Sequence, residues 1–187
     1  MMNRTSFGEL LVILDRDGVI NQDSDLYIKS VEEWTAIPGS VEAIAKLNHA
    51  GYRILVATNQ SGLARGLLSI EDLNLMHRKM RRELSVHGAQ IEAIFFCPHT
   101  PAAQCKCRKP LPGLLEDISR RLQVDLSGVP MIGDSIGDIR AAKAAGAIPI
   151  LVRTGKGVRT IADYGEELVG VSIYADLSAA TDSLLAG

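Results

Sequence analysis

Two aspartates one residue apart, Asp15 and Asp17, close an uncharged aliphatic run, Leu10–Leu14, and Gly18 follows at once. Such a run reads as a strand buried on both faces, and the glycine marks where the chain turns away. Both carboxylates then sit at the carboxyl end of a buried strand, where open α/β sheets bind ligands. Buried acids this close repel unless a cation or hydrogen bonds compensate. A metal ion is the usual remedy; a strand-end turn with solvated acids is the plain alternative, and this tripeptide alone does not choose. Three further polar groups end later apolar runs. Thr58 and Asn59 follow Arg53–Ala57, Asp134 follows Val129–Ile132, and Arg108 and Lys109 come after Ile91–Phe96 and a loop. Three acids suit a hard cation such as Mg²⁺. Lysine, threonine and turn N–H groups suit a phosphate. A metal and a lysine on opposite sides of a phosphoryl group stabilise the charge of its transition state.

A second cluster has different chemistry. Cys97, His99, Cys105 and Cys107 place three thiols and an imidazole within eleven residues, and these are all the cysteines in the chain. An odd, clustered set argues against a disulfide framework. Zinc favours tetrahedral Cys₃His sites of this composition, and with every position filled such a site is structural. Three free cysteines on a loop is the alternative. A nucleophilic Cys97 is disfavoured, because ligation consumes its thiolate. Arg108-Lys109-Pro110 follows at once, so a zinc clip at 97–107 would position Lys109.

These residues need a scaffold, and the pattern supplies one. Pro38-Gly39-Ser40 opens a helix with the stripe Val41, Ile44, Ala45, Leu47, and Gly51 stops it. Ser69 and Asp72 resemble a capping box ahead of Leu73, Met76, Met80 and Leu84. Helices are expected at Leu114–Leu122, Ile136–Ala145 and Leu177–Leu185, and strands at Ile148–Val152 and Val171–Tyr174. Between Gly155 and Val171 the pattern assigns no element. Asn21–Ile37 has no period and reads as a loop across the mouth of the first strand. Alternating strands and helices imply right-handed crossovers. The expected fold is α/β, a Rossmann-like three-layer α/β/α sandwich with a mostly parallel sheet and no large cap domain.

At 187 residues the chain suits a single domain spanning 1–187. A net charge of −2 gives no reason to expect nucleic acid or an anionic membrane as partner. No apolar run approaches a membrane span, and the polar lead-in Met1–Glu9 has no apolar signal region, so a cytoplasmic protein is expected. Nothing demands a protein partner, and a monomer is expected. Arg78, Lys79, Arg81 and Arg82 read as a solvated helix face. His49, His77 and His87 read as isolated surface or cap residues. Trp34 either covers the site mouth or packs on the core, and Lys156 either meets a phosphate or marks a strand-to-helix turn.

Taken in order, Asp15-Arg16-Asp17-Gly18, Thr58, Lys109 and Gly133-Asp134 with Asp138 resemble the haloacid dehalogenase-like phosphatases across about residues 10–155. The resemblance implies that Asp15 attacks phosphorus, forming an aspartyl-phosphate, while Asp17 protonates the leaving oxygen and then activates water. It implies Mg²⁺ on Asp15, the backbone carbonyl of Asp17, and Asp134, with phosphoryl oxygens held by Thr58 and Lys109. Asp138, one helical turn beyond Asp134, reads either as support behind that metal site or as an acid favoured by a helix N-terminus.

The Cys-Pro-His…Cys-x-Cys-Arg-Lys-Pro pattern resembles the zinc-containing branch that holds heptose bisphosphate and histidinol-phosphate phosphatases. Residues 58–66 (TNQSGLARG) and 151–157 (LVRTGKG) resemble its heptose members, which act in making nucleotide-activated heptose for bacterial lipopolysaccharide. That resemblance implies a phosphosugar substrate touching Asp23, Ser24, Asp25, Leu26, Thr58, Asn59, Gln60, Ser61 and Ser135. Arg108 would read a second, non-reacting phosphate, for which a guanidinium fork is suited. Three departures stand out: Val19 where threonine is common, Ser135 where lysine is frequent, and a short interval from His99 to Cys105 like that of the histidinol-phosphate members. The rival readings are a histidinol-phosphate phosphatase and a catalytically silent, zinc-stabilised phosphosugar-binding protein.

Overall fold

Five aliphatic residues with no charge among them form the central strand, β1 (Leu10–Leu14). Val12 and Leu14 point to one face of the sheet and Leu11 and Ile13 to the other, and all four are buried. Its neighbours are β2 (Tyr52–Asn59) and β4 (Pro130–Gly133). Beyond β2 lies β3 (Ala93–Cys97), and beyond β4 lie β5 (Ile148–Val152) and β6 (Ser172–Tyr174). The order is β3-β2-β1-β4-β5-β6, and every pairing is parallel. The protein is seen here in a computed structural model, which describes residues 10–186. The lead-in at Met1–Glu9 lies outside the described residues.

Helices cover both faces. One layer holds α1 (Ser40–His49), α2 (Ile70–Val86) and α6 (Leu177–Ala186), whose Ile44, Leu47, Leu73, Met76 and Leu177 pack on Val12 and Leu14. The other holds α3 (Gly113–Leu122) and α4 (Ile136–Ala144), whose Leu115, Ile118 and Ala141 pack on Leu11 and Ile13. Truncating one of these buried aliphatics to alanine would cost about 2–5 kcal/mol. The chain winds outward from β1 to β3, then crosses back to β4 on the other side of β1. Connections after β1 and β4 therefore diverge, and the crevice between them is the topological switch point where such sheets bind ligands.

The α/β sandwich expected from the pattern is the one observed, with helix and strand ends shifted by a residue or two. The Ser69–Asp72 capping box is formed: the Asp72 N–H donates to Ser69 Oγ (3.1 Å) and the Ser69 N–H donates to Asp72 Oδ2 (2.8 Å). Val19, where threonine is common, is fully buried in the core. Trp34 is fully buried and packs on the core rather than covering a mouth. The basic helix face is partly engaged within the fold. Lys79 Nζ donates to the carbonyls of Val31 and Trp34, and Arg81 donates to the carbonyl of Ile91.

Two expectations are corrected. The stretch left without an element holds α5 (Gly157–Tyr164) and a 3₁₀ turn at Gly165–Leu168. α5 is only eight residues long, with Ile161 packed on the core, so its apolar period is too short to register. His77 is not a surface residue: it is buried on α2, and its Nε2 lies 3.4 Å from Nη1 of Arg16.

Candidate active site

The carboxyl ends of β1, β2 and β4 deliver Asp15, Thr58 and Asp134 to one place, all buried. Two glycines make the approach possible. A Cβ on Gly18 would lie 2.0 Å from Asp134 Oδ2, and one on Gly155 would lie 2.1 Å from the same atom. Both have positive φ, so a side chain there would also strain the backbone. The Lys156 N–H donates to Asp134 Oδ2 (2.7 Å), and Thr160 Oγ1 donates to the Asp134 carbonyl (3.0 Å).

Lys109 is the central cation. Its Nζ lies 3.0 Å from Asp15 Oδ1 and 2.5 Å from Asp138 Oδ1, and donates to the Ala57 carbonyl (2.7 Å). Its backbone is clasped by Asn59, whose Nδ2 donates to the Lys109 carbonyl and whose Oδ1 accepts its N–H. Burial alone would favour neutral lysine, but Asp138 and Asp15 outweigh it and hold Lys109 well above its ordinary value. Asp138 is fully buried and committed on both oxygens, since the Ser135 N–H and hydroxyl both donate to its Oδ2. Asp138 thus supports Lys109 from behind while standing in the first turn of α4.

Asp17 is turned differently. Arg16 Nη2 donates to Oδ1 (2.7 Å) and Oδ2 (2.9 Å), Asn21 Nδ2 to Oδ1 (2.8 Å), and Gln60 Nε2 to Oδ2 (2.8 Å). Burial pushes Asp17 up, but Arg16 and the two amides prevail and hold it below the usual carboxylate range. Asp15 and Asp134 go the other way. Burial, reinforced by neighbouring acids, pushes Asp15 up to about 7 and Asp134 up to about 8.

These side chains wall a cleft of about 430 Å³, a size suited to a small ligand. Of the residues expected to meet substrate, Asp23, Ser24, Asp25, Thr58, Asn59, Gln60, Ser61, Arg108, Lys109 and Ser135 line it. Leu26 does not: it is 75% exposed and forms no part of the wall. Lys156 does line it, with Nζ 2.8 Å from Asp23 Oδ2 across the rim.

Two groups fit metal ions. Carboxylate oxygens of Asp15, Asp134 and Asp138 lie within 4.8 Å of one another. With Asp138 committed to Lys109 and Ser135, Asp15 and Asp134 are left as hard, poorly solvated donors suited to Mg²⁺. Cys97, His99, Cys105 and Cys107 form the second group. The Cys97–Cys105 and Cys97–His99 donor atoms are 3.6 Å apart, Cys107–Cys105 3.5 Å and Cys107–His99 3.4 Å. No disulfide forms. With Cys107–Cys97 at 3.2 Å, the four donors crowd around one point, a Cys₃His set of the kind that suits a tetrahedral zinc. Arg108 Nη1 donates to the His99 carbonyl (3.2 Å), tying this loop to the cleft wall.

A curated relative matches this sequence along nearly its whole length. The chain is 53% identical over 175 residues to D-glycero-beta-D-manno-heptose-1,7-bisphosphate 7-phosphatase of Bordetella bronchiseptica, covering 94% of this chain and 97% of that one. This chain belongs to the haloacid dehalogenase-like phosphatases. A family model described as "HAD-hyrolase-like" matches residues 106–180 of this phosphatase. An enzyme of the same name from Pseudomonas aeruginosa is 51% identical over 94% of the chain and 97% of its own length. A crystal structure described as D,D-heptose 1.7-bisphosphate phosphatase from B. bronchiseptica complexed with magnesium and phosphate superposes with a TM-score of 0.91. It is 52% identical, covering 95% of this phosphatase and 98% of that chain. Among the described residues no helix is long and apolar enough to cross a membrane.

Sequence reasoning missed Arg16, His77, Tyr27 and Ile28. Tyr27 and Ile28 line the cleft from an aperiodic loop and leave no sequence signal. Arg16 had one: an arginine between two acids at the end of a buried strand must itself be buried or paired.

Proposed function

We infer that this chain is a magnesium-dependent phosphatase that removes the 7-phosphate of D-glycero-β-D-manno-heptose 1,7-bisphosphate, and that it carries a structural zinc. The observation that carries the reading is Lys109 held between Asp15 and Asp138 at the mouth of the strands that bring Asp134 and Thr58. A carboxylate oxygen of Asp15 attacks phosphorus, and the bond from phosphorus to the sugar oxygen breaks. Asp17 gives its proton to that oxygen; the phosphoryl charge beside it favours the protonated form on arrival. Asp17 then takes a proton from the water that attacks the aspartyl-phosphate, freeing phosphate and restoring Asp15. Thr58 Oγ1 and Lys109 Nζ hold the phosphoryl oxygens. Asp15 and Asp134, with the Asp17 carbonyl, would hold the magnesium, which draws charge from those oxygens when bound.

Arg108, which lines the cleft and is braced on the His99 carbonyl, would grip the 1-phosphate. The zinc would serve as a crosslink that sets Arg108 and Lys109. Preference for the β anomer is supported by the names of the relatives. Those names also favour heptose bisphosphate over histidinol phosphate, despite the short His99–Cys105 interval. The continuous sheet through the described residues supports a single domain over 1–187, and the reading is that of a cytoplasmic enzyme. A phosphate-release assay with both heptose bisphosphate anomers and histidinol phosphate tests the assignment. The β anomer should have the highest kcat/KM; faster turnover of histidinol phosphate would overturn it.

A further inference from the structure

We propose that Arg16 and His77 are positioning residues of the reaction: His77 braces Arg16, and Arg16 holds the Asp17 carboxylate from behind the cleft in the orientation that delivers its proton. The inference rests on the reading of Asp17 as the acid and base. It adds two residues that touch neither substrate nor metal.

Arg16 is fully buried yet lines no part of the cleft. A buried guanidinium is costly unless its donors are met. Here Nε and Nη2 both reach the Asp17 carboxylate, at 3.1 Å, 2.7 Å and 2.9 Å. Nη1 faces His77 Nε2 at 3.4 Å. A guanidinium has donors and no acceptor, so this contact requires His77 Nε2 to be the unprotonated nitrogen. The imidazole is then neutral and acts as an acceptor. His77 sits on α2 within the run Leu73, Met76 and Met80, each fully buried, so the imidazole is set by core packing rather than by the site.

The planar fork fixes the carboxylate plane in a way that a point charge does not. Asn21 and Gln60 add one donor each, but both approach singly. Gln60 also donates to Thr58 Oγ1 (3.0 Å) and lines the cleft, so it must adjust to a bound phosphoryl group. Arg16 lies away from the cleft and has no such duty. A carboxylate free to rotate would lose alignment with the leaving oxygen while the nucleophile, Asp15, stayed in place. The loss should therefore depend on how much the leaving group needs a proton.

The test compares two substrates on the magnesium-loaded enzyme. One is heptose 1,7-bisphosphate, whose alkoxide leaving group needs a proton. The other is p-nitrophenyl phosphate, whose phenolate does not. The readout is the first-step rate in a single turnover, from quenched sugar product or from the nitrophenol burst. Arg16→Lys keeps the buried charge and loses the fork. It should lower the sugar rate by about 10²-fold, the lower range for a positioned acid, with the nitrophenol burst within about threefold. His77→Leu removes the acceptor and should give a smaller loss of the same kind, about tenfold, whereas His77→Gln, which keeps an acceptor, should restore most of it.

Equal losses on both substrates, or no loss on either, would overturn the proposal. If Arg16→Lys fails to fold, the His77 pair decides alone: Leu and Gln variants with equal sugar rates would overturn it. Asp17→Asn separates this inference from the reading beneath it. A sugar-only loss in Asp17→Asn with wild-type behaviour in Arg16→Lys sinks the role of Arg16 and leaves the acid intact. No substrate split in Asp17→Asn removes the acid itself, and with it the proposal.

Discussion

The carboxylate cluster and the thiol cluster are built in opposite ways. Asp15 follows β1 and the neighbouring pair Asp134 and Asp138 follows β4, more than a hundred residues on, so they meet only because β1 and β4 lie side by side. Cys97 ends β3, and His99, Cys105 and Cys107 lie in the short loop that follows it. The carboxylates carry their own counter-charge, with Lys109 Nζ between Asp15 and Asp138 and backbone N–H groups on Asp134 and Asp138. The thiol loop has no comparable internal clamp: its four donors face one another, and it contains only the 3₁₀ turn Pro101–Ala103. The fold therefore prearranges the reacting site. On the proposed reading a zinc ion would fix the shape of the cysteine loop, and through Arg108, which donates to the His99 carbonyl, that shape would reach the cleft wall.

The contrast can be broken first at Asp15. Asp15→Asn should lower turnover by about 10⁴-fold or more while leaving the circular dichroism spectrum unchanged, because the side chain keeps its size and place. Lys109→Met is the next largest change. It leaves Asp15 and Asp138 facing each other across a buried gap without their cation, and should cost about 3–5 kcal/mol in denaturant unfolding as well as activity. A loss below about 1 kcal/mol would mean that the carboxylates are compensated in another way.

The thiol loop should respond in the opposite sense. Elemental analysis should give near one zinc per chain in the wild type and a clear loss in Cys107→Ser. In that variant KM for the bisphosphate should rise by up to about tenfold as Arg108 loses its brace, with kcat within about threefold. A fall in kcat with KM unchanged would place the loop in the chemistry and erase the contrast.

The smallest effect concerns pH. Burial, helped by Arg16, pushes His77 down to about 4 from an ordinary value of 6.5. Between those values the unfolded chain holds the extra proton, so folding stability rises with pH. The contribution is whole above pH 6.5 and is lost as pH falls towards 4. Denaturant unfolding at pH 7 and pH 4.5 should show a stability loss larger in the wild type than in His77→Gln, by on the order of 2 kcal/mol. Equal losses would show that His77 titrates as an exposed histidine does.

What was legible in the sequence follows the same division. The cysteine loop could be read from spacing, because its ligands are neighbours in the chain. The strand-end acids could be read because a buried parallel strand places its last residues at one edge of the sheet, whatever the strand order. Strand order itself was not legible, since aliphatic runs such as Leu10–Leu14 and Ile148–Val152 do not encode their neighbours. α5 escaped because it is only eight residues long, so its few apolar residues, Ile161 among them, set up no period long enough to read. His77 escaped because its partner, Arg16, lies on another element, and a histidine inside an apolar helix stripe announces only burial. Leu26 shows the opposite error: a motif neighbour was counted as a contact, and its side chain points to solvent.

The central claim is that the cleft forms a covalent phosphoryl intermediate on Asp15. Acid-quenching a reaction of Asp17→Asn with heptose 1,7-bisphosphate and magnesium, then mapping peptides by mass spectrometry, tests it directly. The account predicts a phosphoryl group on the peptide carrying Asp15, absent in the Asp15→Asn, Asp17→Asn double variant. A phosphoryl group on another residue, or sugar product released in that quench with none on Asp15, would contradict it.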